Sequence, residues 1–306
     1  MRSALLHLDE ALTSQYRLRQ AVCNAGGRLL DYRDLGPALR LWSRPSALER
    51  LRRRLAAALP TALGPMLVFS GSGDFHHVTL LLLERALAAS NGDPATLIHF
   101  DNHPDWVKFR AGAHCGSWVG QAARMPGIAK VITVGVCSAD LERPGDKAAD
   151  LSIVTAGKLD LYPYHAAGSV DRIRLCGREW PTIEGMGEAA FAEFLPRQID
   201  TPAIYITVDK DVLRSQDAGT NWDQGRTSLA FLKALIGQIS QGRLLIGADI
   251  VGDWSEAVYG GGLLASLVKR AEAILDQPWR APSAELRALN EDVNLELLTL
   301  LQDLAI

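Results

Sequence analysis

Short apolar runs recur along the chain at Met66–Phe69, Ala95–Phe100, 130–137, Leu151–Thr155, 203–208 and Leu244–Val251. Bounded by glycine and polar residues, runs of this length predict strands covered on both faces. Between them, 78–90, 228–238 and 263–275 repeat apolar residues at helical spacing. Strands alternating with helices predict an α/β fold of three layers, α/β/α, around a mostly parallel central sheet. Residues 1–60 read as an N-terminal part of the same domain, with 45–59 a helix that turns Arg50, Arg52, Arg53 and Arg54 to solvent. Residues 283–306 predict a leucine-rich C-terminal helix that packs either on its own core or on another subunit. With no internal repeat or low-complexity segment, 1–306 reads as a single domain.

Composition narrows the picture without redirecting it. Of 306 residues, 48% are hydrophobic and 22% charged, the profile of a folded, water-soluble chain. A net charge of −3 gives no electrostatic reason to expect nucleic acid or an anionic membrane as partner. No apolar run approaches the roughly 20 residues that span a bilayer. The N-terminus reaches Asp9 and Glu10 too soon for a signal-peptide core, so a cytoplasmic location is expected. Cys23, Cys115, Cys137 and Cys176 are scattered, which argues against a disulfide framework or a thiolate zinc site. Cys115, beside His114, reads as a small buried thiol rather than a nucleophile.

Candidate chemistry lies at strand ends, where open parallel sheets gather ligands. Gly71-Ser72-Gly73-Asp74-Phe75-His76-His77 follows one predicted strand, His99-Phe100-Asp101-Asn102-His103-Pro104-Asp105-Trp106 closes the next, and Asp209-Lys210-Asp211 closes a later one. If the chain stays extended, alternation sends Asp101, His103 and Asp105 to one side and leaves His99 deeper, as a packed support. Carboxylates mixed with imidazoles suit hard divalent ions such as Mn²⁺. Two such ions roughly 3.5–4 Å apart can share carboxylates and activate a water near neutral pH. Metal-assisted hydrolysis is the expected reaction class.

These motifs resemble those of the ureohydrolase superfamily of arginases, agmatinases and formiminoglutamases. Gly73-Asp74-Phe75-His76 is similar to the family's G-G-D-H element, Asp101-Asn102-His103-Pro104-Asp105 to D-A-H-x-D, and Thr207-Val208-Asp209-Lys210-Asp211 to S-x-D-x-D. The resemblance runs from about Met66 to Gly252 and implies an arginase-like fold with a binuclear manganese centre, two Mn²⁺ per chain. By it, His76, Asp101, Asp105 and Asp209 would hold one ion and His103, Asp101, Asp209 and Asp211 the other, with His77 a rival to His76. His114, in His114-Cys115-Gly116, would move protons to the leaving amine, and Asp211 would also orient the nucleophile. Gly219-Thr220 with Gly225 and Thr227 is similar to a family loop near the substrate, which makes Thr220 a candidate contact.

The chain also departs from the family pattern. Ser138 stands where arginine-cleaving members carry an aspartate, and Gly252 where a D-x-x-E motif has the glutamate that holds the guanidinium. Asp253 or Glu256 would be replacements. Lys108 and Arg110 are either contacts for an anionic substrate end or solvated loop charges. Trp106, Trp118, Trp222 and Trp254 either line a deep pocket or pack in loops. The expected function is hydrolysis of a C–N bond in a guanidino or amidino compound, small molecule or peptide, with peptidyl arginine as in peptide arginases one candidate and urea as product. Two alternatives stand beside it, a one-zinc deacetylase-like amidohydrolase and a non-catalytic metal-binding protein with a protein partner. A homo-oligomer is compatible with either.

Overall fold

The computed structural model describes residues 1–90, 92–145, 147–166, 171–279 and 283–304. Eight strands form the central sheet: β1 Arg2–His7, β2 Arg28–Asp31, β3 Met66–Phe69, β4 Ala95–Phe100, β5 Ile128–Val134, β6 Leu159–Tyr162, β7 Ala203–Asp209 and β8 Leu244–Val251. Their spatial order is β2-β1-β3-β8-β7-β4-β5-β6, and every pairing is parallel. Parallel neighbours require crossovers, so both sheet faces are covered. Accordingly β3, β4 and β7 are buried along their whole length.

The longer helices are α1 Tyr16–Asn24, α2 Pro45–Ala58, α3 Thr79–Ala89, α4 Leu229–Ser240, α5 Leu263–Asp276 and α6 Ala284–Asp303. Their ends follow local chemistry. Proline opens α2, and the hydroxyls of Ser228 and Ser283 accept backbone N–H groups at the starts of α4 and α6. Helix α6 packs on α1 of its own chain, where the Arg17 and Leu18 N–H groups donate to Glu291. The last two positions of the expected 283–306 helix lie outside the described residues. No helix among those described is long and apolar enough to cross a membrane.

One expectation needs correction. Leu151–Thr155 is a helix rather than a strand; a five-residue apolar run carries no decisive period. The strand in that region is β6, where Leu159 pairs with Val131. The N-terminal part supplies β1 and β2 to the main sheet, strands the sequence pattern did not reveal. The expected parallel sheet between helical layers is present, with every pairing among its eight strands parallel.

Candidate metal centre

Strand register sets up the site. Thr207 pairs with His99 and Val208 with Phe100, so the next residues, Asp209 and Asp101, leave adjacent strand ends side by side. Beyond Phe100 the chain does not stay extended. The His103 N–H folds back to donate to Asp101 Oδ1 at 2.6 Å, and Asp105 adopts φ 47°, a left-handed conformation that aspartate tolerates. Asp101, His103 and Asp105 therefore converge through a turn, not through the expected alternation. Asp209 accepts the Asp211 N–H at 3.0 Å, which starts a one-turn helix, Lys210–Val212. Lys210 points the other way, to Asp253 and Asn294.

Two donor groups result. His76, His99, Asp101 and Asp105 bring ligand atoms within 4.8 Å of one another, and so do Asp101, His103 and Asp211. Asp101 belongs to both. His76 Nδ1 lies 3.0 Å from Asp101, 3.2 Å from Asp105 and 3.6 Å from Asp209. His103 Nδ1 lies 3.0 Å from Asp211 and 3.5 Å from Asp101.

Each imidazole is oriented from behind. His76 Nε2 meets Thr207 Oγ1 at 2.9 Å, and that hydroxyl donates onward to Asp249. His103 Nε2 meets the Asp223 carboxylate at 2.9 Å. Against the effect of burial, the neighbouring carboxylates raise the pKa of both imidazoles well above its usual value; a cation in the cluster would displace the Nδ1 proton and leave the proton on Nε2. This tautomer is the one that metal-binding histidines use. His99 is held between Thr133 and Asp101 at 3.0 and 2.9 Å, beneath the cluster.

Electrostatics ask for a cation. Asp101, Asp105, Asp209 and Asp211 are all buried, and among the described residues no lysine or arginine pairs with them. Burial, reinforced by the neighbouring Asp101, pushes Asp209 up to about 7 and raises Asp211 well above the carboxylate range. Burial likewise raises Asp105. Burial opposes ionisation of Asp101 too, but His99, His103 and His76 overcome it and hold that group low. Four carboxylates and two inward-facing imidazole nitrogens fit two divalent ions.

The cavity over this cluster measures about 490 Å³. His76, Asp101, His103, Asp105, His114, Asp209 and Asp211 line it. His77 does not: it is buried with neither ring nitrogen hydrogen-bonded, and burial holds it neutral. Thr220 donates to the Trp222 carbonyl, and Asp253 is engaged by Lys210, Gln15 and Asn294, so neither reaches the cavity. Val107 and Phe109 face inward while Lys108 and Arg110 are exposed. Of the tryptophans, Trp106 and Trp222 line the cavity, and Trp118 donates to Asp105 from behind at 2.7 Å.

Sequence reasoning missed the rest of the wall: Asp140 paired with Lys147, Asp223, and Glu272 and Asp276 on α5. The His114 Nδ1 accepts the Gly116 N–H at 2.8 Å, while Nε2 meets Glu272 Oε1 in a short contact. No glutamate fits at 252, where φ is 94° and a Cβ would lie 2.4 Å from Asp209 Oδ1 and 2.5 Å from the Lys210 nitrogen. Asp74, in the element resembling G-G-D-H, turns to Arg40, Trp222 and Gln277. It braces the loop that carries His76.

The sequence matches the arginase family over residues 1–252. Among solved structures, it is similar to a hypothetical agmatinase from Burkholderia thailandensis at 18% identity, covering 98% of this chain and 85% of that one with TM-score 0.59. Arginase from Bacillus cereus aligns at 13% identity over 96% of each chain, with TM-score 0.57. Proclavaminate amidino hydrolase from Streptomyces clavuligerus aligns at 16% identity over 81% of this chain and 71% of its own, with TM-score 0.51. At such identities the structural likeness is one of fold. No curated protein matches the sequence.

Proposed function

The chain belongs to the arginase family, and from that premise we propose a two-manganese hydrolase that cleaves a C–N bond of a guanidino compound. The observation that carries this reading is Asp101 standing in both donor groups, the arrangement expected of a carboxylate shared by two ions. His76, Asp101, Asp105 and Asp209 would hold one Mn²⁺ and His103, Asp101, Asp209 and Asp211 the other. Bound there, the ions supply Lewis acidity and lower the pKa of water enough for hydrolysis near neutral pH.

The protein's own groups do the remainder. Gly116 occupies His114 Nδ1, which places the imidazole proton on Nε2, inside the cavity and against Glu272. From that position His114 passes the proton to the departing amine. Asp211, anchored by the Asn102 N–H at 2.9 Å, keeps one oxygen toward His103 and the cluster. Glu272 takes the part of the glutamate excluded at position 252. Only its Oε1 is engaged among the described residues, which leaves Oε2 for a guanidinium.

Ser138 spends its hydroxyl on Asp140, and the wall there offers Asp140 already paired with Lys147. A dedicated reader of a free α-amino group is missing at that place. This favours arginine within a peptide over the free amino acid.

The test is Mn²⁺-loaded protein incubated with small guanidino compounds and arginine-containing peptides, assayed for urea and amine. Two manganese ions per chain with urea release are expected. About one zinc per chain with amide cleavage would replace this reading with the deacetylase-like one. Bound metal without turnover of any substrate would leave a metal-binding protein.

A further inference from the structure

Helix α5 is amphipathic in the wrong sense. Toward the body of the protein it buries Ala265, Ala273 and the stem of Lys269. Toward solvent it presents Leu263, Leu264, Leu267, Ile274 and Leu275, and Trp279 follows just beyond its end; these six are 58% to 87% exposed. At about 100° per residue the five helical positions fall within an arc of roughly 120°, so they form one continuous face. The helix is also loosely tied, since Gly260, Gly261 and Gly262 precede it.

A helix that turns two alanines inward and five large aliphatic residues outward does not fold onto its own domain for hydrophobic gain. Exposed patches of this size mark surfaces that another body covers. We infer that the body is a second copy of this chain, joined by packing α5 against α5 across a two-fold axis. The six side chains together offer roughly 800 Å², the share each partner gives to a standard interface. The face has no charged residue within its arc, so it is complementary to itself, as an isologous contact requires. The same helix turns Glu272 and Asp276 into the metal cavity, so pairing fixes a wall of each site. The inference stands whether or not the proposed reaction is correct.

Sedimentation equilibrium of the full-length protein over a concentration series tests it. The wild type is expected to show the mass of two chains. Leu264→Lys combined with Leu267→Lys should reduce it to one, and Leu275→Asp alone should weaken association at least tenfold. Tyr16→Lys, at an exposed residue on α1, should leave association unchanged. Circular dichroism of each variant verifies folding. A single-chain mass for the wild type at all concentrations overturns the inference, as does any assembly that the folded double variant leaves intact.

Discussion

The carboxylate cluster and the α5 wall border one cavity but are held in opposite ways. Asp101 and Asp209 hang from β4 and β7, neighbouring strands buried along their length. Their companions are braced by Thr207, Thr133, Trp118 and Asp223. Glu272 and Asp276 hang from a helix that follows three glycines and buries two alanines and one lysine. On the proposed function, the contrast separates two tasks: the chemistry sits on the sheet, and substrate recognition sits on a helix that its own domain holds through few apolar contacts.

The largest effect is therefore expected on the sheet side. Asp101→Asn removes the carboxylate common to both donor groups. Losing Lewis-acid assistance worth about 4 kcal/mol corresponds to about a thousandfold slower turnover. Metal content should fall from two ions toward one or none, measured by atomic emission alongside urea release. Retention of two ions by Asp101→Asn would refute a shared ligand.

Glu272→Gln should do less and do it differently. Removing one charge-assisted contact costs about 1.5–3 kcal/mol, or roughly 10- to 100-fold in kcat/KM. Metal content should stay at the wild-type level. If this variant loses metal as Asp101→Asn does, the division between a metal side on the sheet and a recognition side on α5 fails.

How much of this was legible in the sequence follows the same division. The D-x-H-x-D and D-x-D motifs are local, so their residues were readable as ligands even though the turn joining Asp101 to Asp105 was not foreseen. β3, β4 and β8 were readable because strands buried on both faces are largely apolar. β2 was not, since three of its four residues are exposed. Glu272 was hidden because nothing in the sequence places it beside His114; only the fold joins residues 158 positions apart. A signal did exist in 260–275, where three glycines precede a helix whose large residues outnumber what its small inner face can bury. Gly252 looked like a lost functional group. The structure shows a required glycine, because any side chain there would enter the space of Asp209.

The smallest effect concerns how α5 is tethered. Lys269 is buried, and its ammonium rests on the Ala38 carbonyl at 3.0 Å and over the Trp42 ring at 4.6 Å, without a carboxylate partner among the described residues. Burial lowers its pKa from 10.5 to about 8. Between those values the unfolded chain binds a proton that the folded chain does not, so folding stability contributed by this group rises with pH. The cost of burying the charge is present in full below about pH 8 and is relieved toward pH 10.5. Lys269→Met removes that titration. Its stability relative to wild type should be most favourable near neutral pH and should decline steadily as pH is raised through this window, followed by urea midpoints at matched ionic strength. A difference that stays constant with pH would mean that the Lys269 ammonium remains charged on the helix, and that α5 is held more firmly than its two buried alanines imply.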